Sequence, residues 1–419
     1  MNYKILLSSA LFLVASSANA QTANKAYAIT SDGNQDHVWM NIRQVDLSTG
    51  LITQTLFQRS KTNFVLTDVN SKKVSTASSA ETGNIFQSKD YPTGSMVAAA
   101  AFDRRSNKLF FTPMRVGELR WLDLNIKNET PQFYTATSPV IDFGPSIDEA
   151  THITRMVIAA DGNGYALTND GNHFIKFTTG KKPVITDLGN LIDDEKNNGI
   201  SIHNKCTSWG GDMLADAFGK LYVVSANHHV FVIDINSRVS THLGAITNLP
   251  NNFTTNAAAV NEAGEIVVGS ANVFAGYYKL TLTDLKATPI EGSDKTYNAS
   301  DLANGNLLFQ KEADAARQNS LTAAALPANT FGNADQRVYP NPVTSNNFNV
   351  FFDAQKAGNF HITLTDLSGR VLQTEKVNVG KVQQIENIQL KSRPAKGMYF
   401  VTVVDEGKQI LFKEKIIIQ

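Results

Sequence analysis

The chain has 419 residues, and its 38 Lys and Arg residues balance its 38 Asp and Glu residues, so the formal net charge is zero. This balance excludes a global electrostatic attraction to nucleic acid or to an anionic surface. Hydrophobic residues make up 42% of the chain and charged residues 18%, as in ordinary globular proteins. We therefore expect folded cores and no nucleic-acid partner.

The first twenty residues have the pattern of a secretory signal peptide. Lys4 precedes a short apolar run over residues 5–15, and Ala18-Asn19-Ala20 forms a small-x-small cleavage site. The run is shorter than the ~18 residues that a membrane-spanning helix needs, and no later stretch reaches that length. We expect signal peptidase to remove residues 1–20, leaving a mature chain without a transmembrane segment in the periplasm.

Residues 21–310 are built from repeats. Residues 155–165 align without a gap with residues 212–222. Similar segments surround Gly264 and Gly305, and a looser copy surrounds Asn107, so the turn positions recur at intervals of roughly 40–60 residues.

Each repeat has a small-residue strand, a tight turn that needs a positive φ, an aromatic or β-branched strand, and a third strand ending near Asp. Short strands at this period predict an all-β fold, a β-propeller, for residues 21–310, which we call the passenger. Five repeats are clear, and residues 51–91 are long enough for another, so we expect five or six blades. Residues 25–30 match residues 220–225, a second strand, which predicts a closed ring whose two chain ends share one blade.

The aligned starts of the inner strands predict a polar ligand site at one mouth of the central channel. The aligned residues are Ala99, Arg155, Asp212, Ala257 and Asn298. Arg155 and Asp212 belong to consecutive blades and are expected to face each other. The alternative is a structural ion pair, because charged residues on inner strands need partners.

The loop before the third of these strands contains an unusual number of reactive and polar side chains. It contains His203, a Lys, the only cysteine of the chain (Cys206) and Trp209, and it ends at Asp212. Trp209 offers a stacking face and Asp212 a hydrogen-bonding group, so the loop is a candidate for binding a sugar or a peptide. The alternative is an ordinary connection whose Trp covers the core. A single cysteine leaves no internal disulfide.

Residues 32–36 place oxygen ligands at alternate positions, as the start of an EF-hand loop does. The twelfth position of that loop is Arg43 rather than the required Glu, so calcium and a solvated turn both remain open. No other metal or cofactor is predicted. The chain has no HExxH helix, nucleophile elbow, phosphate loop or dinucleotide fingerprint.

Residues 311–337 lack strand periodicity and are predicted to be a linker. Residues 338–419 alternate apolar and polar residues, which predicts an immunoglobulin-like sandwich of seven strands. Three spaced motifs mark this segment. Their residues are Pro340, Asn341 and Pro342 at the start, Asp366 and Gly369 in a TDLSGR turn, and Gly397 and Tyr399 in a GMYFV strand.

These motifs, in this order, resemble the type A C-terminal sorting domain of proteins exported by the type IX secretion system of Bacteroidota. The resemblance implies export through the periplasm to the outer cell surface or the medium, with the type IX machinery as a partner and clipping of the domain in the linker. For the passenger we expect a non-enzymatic module that binds a glycan, peptide or protein. The alternative is a secreted hydrolase or lactonase-like enzyme with its site at the channel mouth.

Overall fold

The computed structural model of the chain describes residues 24–33, 36–77, 88–126, 128–143, 148–292, 297–316, 338–352, 358–367, 369–380, 384–407 and 409–419. The chain divides into two compact units, Met1–Ser320 and Leu321–Gln419. No helix in the described ranges is both long enough and apolar enough to cross a bilayer.

The first unit consists almost entirely of short strands. In chain order they are β1 (Lys25–Thr30), β2 (Asn41–Asp46), β3 (Ile52–Phe57), β4 (Val65–Asp68), β5 (Val74–Thr76), β6 (Val97–Asp103), β7 (Lys108–Pro113), β8 (Glu118–Asp123), β9 (Gln132–Thr137), β10 (Ile153–Ile158), β11 (Gly164–Thr168), β12 (Phe174–Phe177), β13 (Ile185–Asp187), β14 (Ile192–Asp193), β15 (Asp212–Ala215), β16 (Lys220–Val224), β17 (His229–Asp234), β18 (Val239–Ala245), β19 (Ala257–Val260), β20 (Ile266–Gly269), β21 (Tyr278–Leu280), β22 (Thr288–Pro289) and β23 (Ala299–Ala303). Short helical turns occur at Glu149–Thr151, Glu195–Asn197 and Lys205–Ser208, and a helix covers residues 310–316.

These strands form a β-propeller, which in the described residues has five blades. Blade 1 has the order β23-β1-β2-β3, blade 3 is β10-β11-β12-β13 and blade 5 is β19-β20-β21-β22. Blade 2 runs outward from β6 through β9 and gains β4 and β5, while blade 4 runs from β15 through β18 and gains β14. The inner strands β23, β6, β10, β15 and β19 adjoin one another in a closed ring.

The ring closes as the sequence predicts, because both chain ends contribute to blade 1. β1 pairs antiparallel with β23, with Tyr27 opposite Ala303 and Ala28 opposite Leu302. The segment over residues 51–91 does not form a sixth blade in its described part. Its strand β3 completes blade 1, and β4 extends blade 2 by pairing parallel to β9.

Four of the five repeat turns have the predicted backbone. Asn107, Gly162, Gly219 and Gly264 all have left-handed φ values, of 49°, 85°, 91° and 88°. The fifth repeat departs from this pattern around Gly305. There the chain runs on past β23 to blade 4, where Leu308 N donates to Ala215 O at 3.0 Å and Ala217 N donates to Leu308 O at 2.9 Å.

The second unit is a sandwich of seven described strands. They are β24 (Val338–Tyr339), β25 (Asn347–Phe352), β26 (Gly358–Asp366), β27 (Val371–Val379), β28 (Gln384–Gln389), β29 (Gly397–Asp405) and β30 (Ile410–Ile418). One sheet has the order β24-β25-β28 and the other β27-β26-β29-β30. Alternate residues such as Val350, Ile362 and Val401 point inward and form one buried core, as the alternation of the sequence predicts.

Candidate functional site

The strand register identifies which inner-strand residues are equivalent. Tyr165 lies opposite Val157 and Tyr222 opposite Leu214, while Tyr27 lies opposite Ala303. Counting two residues back along each inner strand gives one equivalent position per blade. The five residues at this ring position are Ala99, Arg155, Asp212, Ala257 and Asp301.

Asp301 therefore takes the place that the sequence alignment gave to Asn298. The alignment failed because it was anchored on Gly305, where no tight turn forms. Asn298 lies before β23, and its amide group is used inside the protein. Its Nδ2 donates to Ala271 O at 3.0 Å, and its Oδ1 accepts from the Ser31 hydroxyl.

Arg155 does not face Asp212, so that expectation is wrong. The Arg155 side chain is fully buried and is held by backbone carbonyls. Nη1 donates to Ser208 O at 3.1 Å, and Nη2 donates to Asn169 O at 2.8 Å and to Thr168 O. Burial lowers the pKa of Arg155 to about 9, although the Asp170 carboxylate partly opposes this effect. Arg155 thus fastens β10 to the loop that leads into blade 4.

Asp212 and Asp301 form a fully buried pair of carboxyl groups inside the ring. Asp212 accepts from the backbone N–H groups of Met213 at 2.7 Å, Ala258 at 2.7 Å and Leu302 at 3.2 Å. Asp301 Oδ2 accepts from Ala100 N at 3.0 Å, whereas Oδ1 has no hydrogen-bond partner in the described residues.

Burial raises the pKa of Asp212 to about 8, against the effect of the three N–H donors. Burial and the neighbouring Asp212 charge raise the pKa of Asp301 well above its usual value. Two buried carboxyl groups that interact this closely cannot both ionise at low cost. The pair therefore retains a proton at neutral pH.

The loop before β15 is tied down by its own polar groups. Trp209 Nε1 donates to His203 O at 3.1 Å, and the Lys205 ammonium lies 4.9 Å from the centre of the Trp209 ring. The His203 ring contacts Asp170 O at 2.5 Å and Leu191 O at 3.2 Å. A ligand role for Trp209 and His203 stays a prediction, and their internal contacts account for both side chains.

The residues of the proposed calcium loop are engaged by arginine instead. Asp32 Oδ2 accepts from Arg59 Nε at 2.8 Å and Asp36 Oδ2 accepts from Arg59 Nη2 at 2.7 Å. Asn34 and Gln35 lie outside the described residues. Across the described ranges, no group of three or more His, Cys, Asp or Glu side chains is arranged to hold a metal ion.

The channel mouth itself holds a cavity of about 270 Å³. Its floor is formed by the residues just before the ring position in each blade, which are Ala98, Thr154, Gly211, Asn256 and Ser300. One wall is apolar and is formed by Trp39, Met96 and Met114. The mouth is also lined by polar side chains from blades 2 and 3, namely Arg115, Glu149 and His152.

Several features fix the shape of this mouth. Asn169 Oδ1 accepts from Gly210 N at 2.8 Å and from Thr154 Oγ1 at 2.7 Å, so its amide holds the floor together. Ser95 and Met96 both have left-handed φ values, of 67° and 65°, which are unfavourable for residues other than glycine. The indole N–H of Trp39 is buried without an acceptor in the described residues.

The other end of the channel is filled by side chains and by the segment after β23. Asn304 Nδ2 and Asn306 Nδ2 both donate to Val260 O, at 2.7 Å and 2.9 Å. Only about 10 Å³ of free volume remains between these asparagines and the inner strands. A ligand can therefore approach the channel through the mouth that contains Trp39.

The motif residues of the second unit have clear structural roles. Asn341 joins the first loop to β30, since its Oδ1 accepts from Ile417 N and its Nδ2 donates to Lys415 O, both at 2.9 Å. It is flanked by Pro340 and Pro342, which both follow cis peptide bonds. 

The other motif residues shape the second sheet. Asp366 accepts from Arg370 N at 3.0 Å, and Gly369 has a φ of 84°, so together they form the turn between β26 and β27. Tyr399 is buried and donates to Ala395 O at 2.7 Å. Nothing in the fold requires a glycine at Gly397.

A comparison with protein families decides the nature of this unit. Residues 337–419 match the family described as the secretion system C-terminal sorting domain. The C-terminal unit is a type IX sorting domain. It directs the chain to the cell surface or the medium, which confirms the resemblance seen in the sequence. The predicted signal peptide and most of the predicted linker lie outside the described residues, while residues 310–316 are helical.

Solved structures resemble the chain only distantly. PorZ, an essential surface component of the type IX secretion system of Porphyromonas gingivalis, is 14% identical, with 94% of this chain and 51% of PorZ covered and a TM-score of 0.32. This chain thus spans about half the length of PorZ. 

Two lyases resemble the chain at a similar level. A streptogramin B lyase is 14% identical, with 64% and 83% covered and a TM-score of 0.33. The virginiamycin B lyase from Staphylococcus aureus is 9% identical, with 80% and 87% covered and a TM-score of 0.32. These likenesses carry no argument about activity. No curated protein matches the sequence.

Proposed function

We propose that the exported propeller is a recognition module that binds a peptide segment in the mouth cavity, with a large apolar side chain of the peptide against Trp39, Met96 and Met114. The observation that carries the proposal is the cavity itself, to which all five blades contribute. Concave sites at the centre of a rigid scaffold are where ligands usually bind.

The apolar wall suits a peptide side chain. Methionine side chains are flexible and polarisable, so the pair formed by Met96 and Met114 adapts to aliphatic or aromatic groups of different shape. Trp39 adds a large, rigid apolar surface and an N–H group for which the described part of the chain offers no acceptor. A small rotation of its ring toward a bound peptide would let this N–H donate to a peptide carbonyl.

The polar rim suits the peptide backbone and its charges. Arg115 and Glu149 are exposed at the mouth and carry opposite charges, so they complement the carboxylate and ammonium groups of a peptide. A sugar carries many hydroxyl groups, and its binding would need many more directed hydrogen bonds from the mouth than a peptide side chain needs. Asn169 does not offer them, because its oxygen and its nitrogen are both bonded within the protein.

The unfavourable backbone of Ser95 and Met96 supports a functional mouth. Each left-handed non-glycine residue costs of order 1–3 kcal/mol, and such residues cluster at ligand sites. The strain is maintained by surrounding bonds. Arg115 N donates to Ser95 Oγ at 3.0 Å, and Met114 N donates to Met96 O at 2.9 Å. The rim residues and the strained segment therefore form one connected structure.

A cavity-filling substitution tests the proposal. Peptides selected from a random display library on the purified chain should carry a large apolar residue and bind Ala98→Phe at least about tenfold more weakly, because the new ring occupies the cavity from its floor. Affinities would be measured by isothermal titration calorimetry.

The matched control is Leu243→Phe, which adds an aromatic ring to an exposed position on β18. It should bind the selected peptides as the unsubstituted chain does. Undiminished binding by Ala98→Phe, with its thermal unfolding unchanged, would remove the mouth cavity as the binding site. A selection that enriches no peptide above a library panned on Ala98→Phe would remove the peptide as the ligand.

A further inference from the structure

Two histidines face each other across neighbouring strands of blade 4, outside the mouth cavity. His229 begins β17, and His242 lies in the middle of β18. His229 Nδ1 lies 3.0 Å from His242 Nε2, and the ring centres are 5.1 Å apart. Both side chains are partly exposed. The two ring nitrogens thus lie close together at a position that solvent can reach.

The surroundings hold the His242 ring in place. His242 N donates to Asn197 Oδ1 at 2.7 Å, and the His242 ring packs against Phe231 with a centre-to-centre distance of 5.1 Å. The contact between His229 Nδ1 and His242 Nε2 is a hydrogen bond in which either nitrogen can be the donor, depending on the tautomer.

The nitrogen separation matches a shared ion. Imidazole nitrogens lie about 2.0–2.1 Å from a bound zinc ion. Two such nitrogens on one ion are therefore about 2.9 Å apart at a right angle and about 3.4 Å apart at a tetrahedral angle. The observed 3.0 Å lies inside this range. The neighbouring His228 is used elsewhere, because its Nε2 contacts Phe253 O.

We propose that His229 Nδ1 and His242 Nε2 bind one divalent late transition-metal ion, such as Zn²⁺, Ni²⁺ or Cu²⁺, on the outer part of blade 4. The ion bridges β17 and β18. Water or a group from outside the protein fills its remaining positions, because both rings reach solvent. Nitrogen ligands select these ions over Mg²⁺ and Ca²⁺, which prefer oxygen.

Metal titration of the full chain tests the site. The chain would be purified without a histidine tag, treated with EDTA, and carry Cys206→Ser so that the exposed thiol does not bind metal. We expect one Ni²⁺ or Cu²⁺ per chain by equilibrium dialysis and elemental analysis, with tighter binding of Cu²⁺ than of Ni²⁺. His229→Gln and His242→Gln should each weaken binding by about tenfold or more.

The matched control is His173→Gln, which removes another partly exposed histidine, one bonded to Asp187 at 2.7 Å. This variant should retain the ion, and the electron paramagnetic resonance spectrum of its Cu²⁺ form should still show two nitrogen ligands. Equal binding by His242→Gln and the parent chain would overturn the proposal. So would loss of the ion in His173→Gln, or binding of Ca²⁺ in place of the transition metals.

Discussion

The five residues at the ring position show how the same backbone site accommodates opposite chemistry. Ala99 and Ala257 simply fill space between inner strands. Arg155 is buried as a cation and donates from Nη1 and Nη2 to three backbone carbonyls, while its Nε has no acceptor in the described residues. Asp212 and Asp301 are buried as acids, which accept backbone N–H bonds and share a proton. Each solution avoids an isolated buried charge, whose cost would be several kcal/mol.

The carboxyl pair predicts that the propeller becomes less stable as pH rises. An unfolded Asp has a pKa of about 3.9, whereas burial raises the folded pKa of Asp212 to about 8. The stability that the protonated pair contributes is complete below about pH 4 and is lost as pH rises toward 8. Each proton retained only by the folded state lowers the free energy of unfolding by roughly 1.4 kcal/mol per pH unit.

Asp301→Asn should remove the contribution of one carboxyl group to the pH dependence of the free energy of unfolding. The amide cannot ionise, and it can still donate to Asp212. The free energy of unfolding, measured by urea denaturation between pH 5 and 7, should therefore fall less steeply than in the parent chain. Asp284→Asn, at an exposed turn, is the control and should follow the parent profile. Identical slopes for Asp301→Asn and the parent would show that Asp301 holds no proton in the folded protein over this pH range.

The repeat pattern of the sequence identified only some of the residues at the ring position and none of those on the apolar wall of the mouth. Asp212 was found because its repeat keeps the turn at Gly219. Asp301 was missed because the segment after β23 leaves the repeat pattern. The signal that was present is the short match between Gly211-Asp212-Met213 and Ser300-Asp301-Leu302. Trp39 and Met96 have no such signal, because they come from loops outside the aligned core.

At the scale of elements, local sequence patterns were sufficient to predict the antiparallel strand pairs of most blades. Antiparallel neighbours along the chain are joined by short turns, and the turn residues Gly162, Gly219 and Gly264 mark them directly. The outer additions to blades 2 and 4 were not predictable in this way. β4 with β9, and β14 with β18, pair in parallel across long stretches of sequence. Such pairings depend on tertiary contacts rather than on local preference.

The second sheet of the sorting domain presents apolar side chains on its outer face. Met398 lies opposite Ile417 in the register, and the two side chains are 41% and 39% exposed. Leu367, in the adjoining turn, is 64% exposed. The inward neighbours Tyr399 and Ile416 account for the sandwich core, so the outward residues are not needed for it. Exposed apolar groups that lie together indicate a protein contact.

We therefore expect the face formed by Leu367, Met398 and Ile417 to contact the type IX machinery. The double substitution Met398→Gln and Ile417→Gln should leave the sandwich folded but retain the protein in the periplasm, measured by fractionation and immunoblotting. A chain lacking residues 338–419 gives the reference for no export. Ile410→Gln, at the far end of β30 and 60% exposed, is the control and should be exported normally. Normal export of the double variant would exclude this face.

At the scale of the whole propeller, the ring depends on one pairing between distant parts of the chain. β1 and β23 are separated by nearly all of the propeller sequence, yet they lie side by side in blade 1. Closure of the ring removes sheet edges that would otherwise pair with other chains. The segment after β23 then crosses to blade 4 through the bonds of Leu308. The sequence predicted the closure, because residues 25–30 match the second strand of a blade.

A disulfide across this closure should stabilise the propeller strongly. With Cys206→Ser as background, Tyr27→Cys and Ala303→Cys place two thiols at paired positions of β1 and β23. An oxidised link that closes so long a loop restricts the unfolded chain, and we expect roughly 5 kcal/mol between the oxidised and reduced forms of the same variant. Guanidinium denaturation with and without reductant measures it. Tyr27→Cys with Leu307→Cys is the control and should keep free thiols, because Leu307 packs against the core between blades 3 and 4. Failure of the Tyr27 and Ala303 positions to cross-link would mean that the two chain ends do not share a blade.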